Sequence, residues 1–329
     1  MGHHLLGGEP PAPHGVPVFQ ALLSMARAHR FATDSEVLLV ARQVWERCRE
    51  EASEHLLSSP VGRGMADRDV LAYDTYPDAL GAYLARKLHT AVAGPSHATL
   101  PWSENTEFKA LRSAMTEILS TPTTTRALIA DLAVGISTDP AIEMLLQPVF
   151  FHKGPLAIAT YRCAHTMWLE GNRASALMLH SASADLWGVD IHPGASLGDG
   201  IYIDHATGVV IGATAVVEDN VEFMHGVTLG STGHKTAPGT KRHPTIRSHT
   251  TFGCGSTVLG DITVGQGATI AAQAVVTRNV PSGAAIIGVN HLLRAKGVGD
   301  PAEWSEQRLY MPTHHRDAFA EAAGIGQGV

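Results

Sequence analysis

Residues 191–227 read IHPGASLGDGIYIDHATGVVIGATAVVEDNVEFMHGV, and this stretch decides the fold. An aliphatic residue or an alanine stands at every sixth position: Ile191, Leu197, Ile203, Val209, Ala215, Val221 and Val227. The same step resumes further along the chain at Ile246, Phe252, Val258, Val264, Ile270 and Val276. A period of six matches neither an α-helix nor a single alternating strand. It is typical of a parallel β-helix built from hexapeptides.

The geometry of such a β-helix explains the period. Three short strands form one triangular coil of about 18 residues, so every sixth side chain points inward. Coils stack at the strand spacing of about 4.8 Å, which places each inward side chain on the one below. Small residues and glycines suit the corners, because the backbone turns sharply there. The thirteen positions predict about four coils.

One interruption breaks the repeat. Val227 and Ile246 lie 19 residues apart, one more than three hexads. We therefore predict that a polar loop over residues 230–244, rich in glycine and proline, leaves the coil and returns a full turn later. Irregular loops on a rigid scaffold often carry function.

The glycine content marks a domain boundary near Trp187 and Gly188. Residues 188–298 hold 18 of the 33 glycines, whereas residues 1–187 hold 11. Apolar residues in the front part recur at i, i+3 and i+4, as from Val37 to Cys48, which predicts helices. The sequence thus indicates an α+β protein with four segments: a flexible tail over 1–15, an all-helical domain over 16–187, a parallel β-helix over 188–298 and a C-terminal tail over 299–329.

Composition narrows the possible functions. The chain has 329 residues, of which 44% are hydrophobic and 17% charged, a balance that argues against disorder. The formal net charge of −7 leaves no basic excess for binding nucleic acid. No apolar run approaches the roughly 20 residues of a membrane span, and the start lacks a secretion signal. The cysteines Cys48, Cys163 and Cys254 form neither a disulfide framework nor a metal-type pair, so we expect a cytoplasmic protein without a metal.

Several strings resemble the signature of the serine O-acetyltransferases. They are Asp190-Ile-His-Pro-Gly-Ala, Asp204-His-Ala-Thr-Gly208, Val227-Thr-Leu-Gly and Arg242-His-Pro-Thr-Ile246. Upstream, Asp139-Pro-Ala, Lys153-Gly154 and Tyr161-Arg162 are similar to the helical segment before the coils in that family. The resemblance implies a helical domain followed by a left-handed parallel β-helix of hexapeptide repeats. It also implies transfer of the acetyl group of acetyl-CoA to the hydroxyl of L-serine, giving O-acetyl-L-serine for cysteine biosynthesis.

A histidine is the natural base for this reaction, because a free alcohol is a poor nucleophile near neutral pH. His205 is the candidate base. The resemblance gives Asp190, 15 residues earlier, the role of the carboxylate that orients its imidazole. No protein nucleophile is required, so we expect direct attack within a ternary complex.

Serine is a small zwitterion that needs groups of both charges. Its carboxylate is expected at Arg242 and His243, since a guanidinium matches a carboxylate. The resemblance nominates Asp204 and Glu143 for its ammonium group. Many bacterial members of the family carry Asp at this position. Glu143 keeps the negative charge, and its side chain is longer by one methylene.

Acetyl-CoA is expected in a groove between the coils of neighbouring protomers. By resemblance the candidate residues are Gly230, Thr232, Gly233, Gly253, Cys254, Gly255, Ala271, Ala272, Arg278, Arg294 and Lys296. The cationic side chains of this set are expected to meet the CoA phosphates. The flat faces of a triangular prism predict a homotrimer, and the helices allow a dimer of trimers. Family members bind cysteine synthase (O-acetylserine sulfhydrylase) through their C-terminal tail, and the end at Val329 leaves that interaction open.

Three other functions stay open from the sequence. Acylation of homoserine or another small hydroxy amine would use the same base and groove. Glu143 and a longer loop before Arg242 are the features that leave this alternative open. A zinc-dependent hydratase with a similar β-helix needs three converging histidines, two of them typically five residues apart. None of the 19 histidines has that spacing. The third is a non-enzymatic solenoid that serves as an assembly partner.

Overall fold

The N-terminal part of the chain is helical. The structure, a computed structural model, describes residues 17–28, 33–93, 105–233, 237 and 239–294. The α-helices within these residues are α1 (Pro17–Ala28), α2 (Asp34–Glu51), α3 (Arg63–Met65), α4 (Tyr76–Ala93), α5 (Thr106–Leu119), α6 (Pro122–Thr138), α7 (Lys153–Leu169) and α8 (Arg173–Trp187). Short π-helical segments cover Ala52–Leu56, Ala66–Val70 and Gln147–Phe151. The predicted tails over 1–15 and 299–329 lie outside the described residues.

An apolar core holds these helices together. Trp45 of α2 is buried, and its ring lies 6.3 Å from that of Tyr76 and 6.2 Å from that of Phe150. The buried carboxylate of Glu51 accepts the backbone N–H groups of residues 145 and 146 at 3.1 and 3.0 Å. Because buried N–H groups need partners, Glu51 fixes the segment between α6 and α7 against α2.

The rest of the described chain forms a left-handed parallel β-helix, as predicted. Sheet A contains β1 (Val189–Ile191), β4 (Val209–Ile211), β7 (Thr228–Gly230), β10 (Thr257–Leu259) and β13 (Val275–Val276). Sheet B contains β2 (Ser196–Leu197), β5 (Val216–Val217), β8 (Thr245–Ile246) and β11 (Thr263–Val264). Sheet C contains β3 (Ile201–Ile203), β6 (Val221–Phe223), β9 (Thr251–Phe252), β12 (Thr269–Ile270), β14 (Ala285–Ile287) and β15 (His291–Arg294), the last pairing antiparallel to β14.

The β-helix has about five coils, one more than the repeat predicted. Inward stacking continues past Val276, through the bridge of Val264 to Val280 and the pairing of Ile270 with Ile286. The step from Val276 to Val280 is four residues rather than six. Counting strict hexads therefore ends the β-helix too early.

The phase of the predicted repeat is wrong for residues 209–227. Ile191 pairs with Ile211, so the first coil holds 20 residues rather than 18. The two extra residues lie in the corner formed by residues 204–208, between β3 and β4. Val209 is buried all the same, because alternate residues of a strand face the same side and it lies two residues before Ile211. Burial alone therefore does not detect the two-residue shift, whereas the strand pairing does.

The loop after β7 is an insertion and does not skip a turn. Phe223 pairs with Phe252, 29 residues further on, whereas Phe252 pairs with Ile270 after 18. β8 therefore occupies the next face after β7, and eleven extra residues leave the coil between Gly230 and Thr245. The prediction of a return one full turn later is wrong.

A buried ion pair joins the helices to the first coil. Arg162 of α7 donates to both carboxylate oxygens of Asp131 in α6, at 2.9 and 2.7 Å. The same guanidinium donates to the Gly198 carbonyl at 3.0 Å, and Asp131 accepts the Ile201 N–H at 2.7 Å. The start of β3 is thereby held at a fixed position relative to α6 and α7.

Candidate active site

The corner between β3 and β4 carries the central candidate residues. His205 and Ala206 have positive φ angles of 57° and 62°, a region that non-glycine residues rarely adopt. The His205 side chain is 70% exposed, and its Nε2 lies 3.3 Å from Oδ2 of Asp204. An accessible imidazole beside a carboxylate can take up a proton while the resulting charge stays partnered.

A cleft of about 460 Å³ lies between this corner and the helical part. Its lining includes Tyr202, Ile203, Asp204 and His205 from the β-helix, and Asp139, Ala141, Phe151, His152, Lys153 and Gly154 from the helical part. A Cβ atom on Gly154 would overlap the carbonyl oxygen of Ile203. Only glycine therefore lets the start of α7 approach β3 this closely.

Acidic side chains suit this region to a cation. Asp139 and Asp204 line the cleft and also a smaller pocket beside it, of about 160 Å³, which includes Glu222. The Tyr202 hydroxyl donates a hydrogen bond to Oδ2 of Asp139 at 3.2 Å. Charge-assisted hydrogen bonds from an ammonium group to such carboxylates are strong, so a small amine-bearing ligand fits the chemistry of the site.

Burial shifts the proton affinities of two further groups here. Burial lowers the pKa of His152, and His205 lowers it further. The carboxylates of Asp139 and Asp204 oppose that shift. Burial raises the pKa of Tyr202, and the neighbouring carboxylates raise it further. The tyrosine hydroxyl consequently keeps its proton at neutral pH and acts as a donor.

The structure places a different carboxylate in the cleft from the one nominated by sequence. Glu143 is exposed, and its backbone N–H donates to a glutamine side chain at 2.7 Å. The carboxylate of this segment that lines the cleft with Asp204 is Asp139. His152 and Tyr202 were missed as well, because the docking of helices onto β3 brings them there and no local motif marks them. The Asp139-Pro-Ala string marks this segment in the sequence, but it does not show which of its carboxylates lines the cleft.

Asp190 contacts another histidine within the chain. Its Oδ1 lies 2.6 Å from Nε2 of His180 in α8, and the His180 ring lies 5.8 Å from that of His192. Burial lowers the pKa of His192; His180 lowers it further and Asp190 raises it. The carboxylate beside His205 in the same chain is Asp204. The orienting role of Asp190 stays a prediction.

Arg242 and His243 are held at the corner that contains Thr214. The Thr214 hydroxyl accepts their backbone N–H groups at 3.0 and 3.2 Å, and the Thr214 N–H donates to Nδ1 of His243 at 3.1 Å. Since Nδ1 is an acceptor, the ring proton of neutral His243 sits on Nε2. Burial lowers the pKa of His243, and the cations Arg242 and Lys241 lower it further. Lys241 in turn donates to the Thr214 carbonyl at 2.7 Å, which secures the end of the loop.

The predicted serine ligands thus fall into two groups within one chain. His205 lies in the corner that joins β3 of sheet C to β4 of sheet A. Thr214, which holds Arg242 and His243, lies in the corner that joins β4 to β5 of sheet B. One face of the prism separates these two corners.

Part of the set of residues predicted for acetyl-CoA lies at one corner of the β-helix. Gly253, Cys254 and Gly255 follow β9, where a Cβ on Gly253 would overlap Ala272 and one on Gly255 would overlap the Gln273 side chain. Adjacent coils therefore approach closely at this corner, and glycine permits that contact.

The other predicted cofactor residues are more scattered. Gly230 ends β7, Thr232 and Gly233 follow it, and Ala271 follows β12. Arg278 is half-buried after β13. Arg294 ends β15, with its side chain outside the described part of the chain, and Lys296 lies outside it altogether.

In the part of the chain that the structure describes, no helix is long and apolar enough to cross a membrane. Nor does that part of the chain bring three or more His, Cys, Asp or Glu side chains into an arrangement that could hold a metal ion.

The fold belongs to the hexapeptide-repeat class, and an exposed histidine beside a carboxylate at one corner suits it to acyl transfer. A family model described as "Serine acetyltransferase, N-terminal" matches residues 44–160. A putative serine acetyltransferase of Schizosaccharomyces pombe is 36% identical over 253 residues, which is 75% of this chain and 87% of that protein. The Haemophilus influenzae serine acetyltransferase is 35% identical over 247 residues, 75% of this chain and 86% of that protein. The chain belongs to the serine acetyltransferase family.

Solved structures of family members share the fold. Soybean serine acetyltransferase complexed with serine matches with a TM-score of 0.68 and 33% identity, over 77% of this chain and 98% of that one. The Brucella abortus enzyme in complex with coenzyme A matches with a TM-score of 0.68 and 34% identity, over 78% and 97% of the two chains. These likenesses confirm the predicted order of a helical part followed by a left-handed β-helix.

Proposed function

We propose that this enzyme transfers the acetyl group of acetyl-CoA to the hydroxyl of L-serine, making O-acetyl-L-serine for cysteine biosynthesis. The observation that carries the proposal is the cleft in which exposed His205 lies beside Asp204 and which Asp139 also lines. Two relatives support the substrates, since the soybean enzyme was solved with serine and the Brucella abortus enzyme with coenzyme A.

His205 acts as the general base. Its imidazole takes the proton of the serine hydroxyl while the hydroxyl oxygen attacks the thioester carbonyl. The tetrahedral intermediate then collapses, the carbon–sulfur bond breaks, and the CoA thiolate takes the proton back from the imidazolium. Asp204 stabilises the imidazolium within the chain, and Asp190 keeps the orienting role that the resemblance implies. Asp190→Asn is expected to lower kcat if Asp190 orients the imidazole. Asp204→Asn is expected to lower kcat if Asp204 stabilises the imidazolium, and to raise the KM for serine if it binds the ammonium group.

The two charged ends of serine bind different corners. Asp139 and Asp204 take the ammonium group, which moves the role predicted for Glu143 to Asp139. Arg242 and His243 take the carboxylate. Since one prism face separates them from His205 within a chain, they come from the neighbouring protomer of a homotrimer, and each site forms at an interface.

Acetyl-CoA lies along the groove beside Gly253–Gly255 and Ala271–Ala272, near Gly230, Thr232 and Gly233. The cations Arg278, Arg294 and Lys296 remain the predicted contacts of its phosphates. We further propose a cytoplasmic enzyme, with the helical part available for pairing two trimers and the tail that ends at Val329 available for binding cysteine synthase.

Release of thiol from acetyl-CoA tests the reaction. Serine, homoserine, threonine and an amino sugar are supplied in turn, and serine is expected to give the highest kcat/KM. His205→Ala is expected to lower kcat by at least about 10²–10⁴-fold, while acetyl-CoA binding and the melting temperature stay as in the wild type. A near-normal rate in His205→Ala removes this residue as the base. A kcat/KM that is higher with homoserine than with serine would identify homoserine as the acceptor.

Subunit mixing tests the shared site. His205→Ala and Arg242→Ala chains are coexpressed, and mixed trimers are assayed at serine concentrations below the KM. If each site takes His205 from one protomer and Arg242 from the next, random assembly restores about a quarter of the wild-type sites. Absence of any recovery places both residues in the same protomer.

A further inference from the structure

We infer that Tyr202 is a positioning residue: it orients the Asp139 carboxylate toward the acceptor's amino group and so makes the enzyme select acceptors that carry an amine. The inference rests on the proposed function, because it assigns Asp139 to the ammonium group of serine. It adds a residue outside the motifs that the sequence singled out.

Tyr202 is placed between the helices and the cleft by its strand. It is the middle residue of β3, so its side chain points away from the interior that Ile201 and Ile203 fill. It is nevertheless buried, because α6 covers it. A Cβ atom on Gly135 of α6 would lie 2.8 Å from the Tyr202 ring, so this ring position requires a glycine on the helix.

The Asp139 carboxylate is held at both oxygens. Its Oδ1 accepts the backbone N–H of Ala141 at 2.9 Å, and its Oδ2 accepts the Tyr202 hydroxyl at 3.2 Å. Asp139 is the residue that caps the C-terminal end of α6, and it precedes a proline. These two hydrogen bonds therefore set the plane of its carboxylate. Each oxygen keeps a lone pair for a further donor, which an ammonium group with three donors can use.

The hydroxyl of Tyr202 is suited to this task over the working pH range. Burial and the nearby charges of Asp139, Asp204 and Glu222 raise its pKa, which keeps the proton on the phenol. The same ring lines both the cleft with His205 and the smaller pocket beside it. Removing the hydroxyl frees one carboxylate oxygen exactly where the amine is expected, without opening the apolar contact with α6.

Tyr202→Phe is the direct test, with Tyr161→Phe as a matched control. Tyr161 is also a buried tyrosine at the junction of α7 and the first coil, and its hydroxyl donates to the Ala195 carbonyl at 2.6 Å. Both full-length variants are assayed with serine and with 3-hydroxypropionate, which has the hydroxyl and carboxylate of serine but no amine. Asp139→Asn is measured alongside them.

Tyr202→Phe is expected to raise the KM for serine about tenfold, with kcat and the KM for acetyl-CoA changed less than about twofold. The preference for serine over 3-hydroxypropionate is expected to fall by a similar factor, about tenfold. Tyr161→Phe is expected to lower the melting temperature and to leave that preference unchanged. A lost preference is the readout that a merely structural role for Tyr202 would not produce.

The outcomes separate the inference from the proposed function. If Asp139→Asn loses the preference for serine and Tyr202→Phe keeps it, Tyr202 does not position Asp139, and the proposed function stands. If both variants keep the preference, Asp139 does not bind the amine and the inference fails with it. If the wild type does not acetylate serine at all, the proposed function itself is wrong.

Discussion

Asp131 and Arg162 form a buried ion pair where α6 and α7 meet the first coil, and its removal has a calculable cost. Asp131 accepts two hydrogen bonds from Arg162 and one from the Ile201 N–H, at distances of 2.7–2.9 Å. Asp131→Leu leaves the buried guanidinium without its anion, which costs about 3–5 kcal/mol. It also leaves the Ile201 N–H without its acceptor, which costs about 1–3 kcal/mol more. We therefore expect the free energy of unfolding to fall by about 4–8 kcal/mol.

Adding Arg162→Met to Asp131→Leu is expected to restore part of this stability. The double variant no longer buries an unpaired charge. Of the two costs of Asp131→Leu, it keeps only the loss of the acceptor for the Ile201 N–H. It is expected to be about 3 kcal/mol more stable than Asp131→Leu. Chemical denaturation of the wild type, both single variants and the double variant measures the coupling, at one protein concentration because assembly contributes to stability. A double variant less stable than either single one would refute this account of the junction.

Three further outcomes follow from the cleft and the corners. Gly154→Ala forces a methyl group against the Ile203 carbonyl, so it is expected to cost about 1–3 kcal/mol in thermal unfolding and to lower kcat/KM for serine. Burial and neighbouring cations lower the pKa of His243, so the unfolded chain binds a proton at a higher pH than the folded chain does. The free energy of unfolding is therefore expected to fall as the pH drops below about 6.5. His243→Asn is expected to make this fall shallower in chemical denaturation measured between about pH 7 and pH 5. Gln273 has a φ of 59° and its side chain lies over Gly255, so Gln273→Gly is expected to keep stability within about 1 kcal/mol and to lower the KM for acetyl-CoA in the thiol-release assay.

The fold could be predicted from the sequence because its stabilising contacts repeat at a fixed interval. Each inward residue stacks on its counterpart one coil away, so the period records the architecture directly. The phase after Ile203 could not be read in the same way. Val209 and Ile211 both face the interior, and each satisfies a rule based on hydrophobicity alone. Only the pairing of strands distinguishes them.

The site was predictable where its residues are adjacent in sequence. Asp204 and His205 stand together in a recognisable string, and the structure places them at one corner. Asp139 and His152 reach the same cleft from the helical part, more than fifty residues away in sequence. Their positions depend on how α6 and α7 dock on β3. The ion pair that fixes this docking joins Arg162 to Asp131, 31 residues away, so no single string of the sequence shows the contact.

The β-helix separates the contacts that stabilise it from the positions that do chemistry. The rings of Phe223 and Phe252 stack with centroids 5.1 Å apart and planes 4° apart, although eleven extra residues lie between their strands. Two extra residues after β3 likewise leave the pairing of Ile191 with Ile211 intact. Insertions at corners therefore change what the surface presents without disturbing the interior. The corner that holds His205 and the loop that delivers Arg242 are the insertions into the 18-residue coil among the described strands. The regular repeat therefore predicts the scaffold, and these two insertions locate the candidate site.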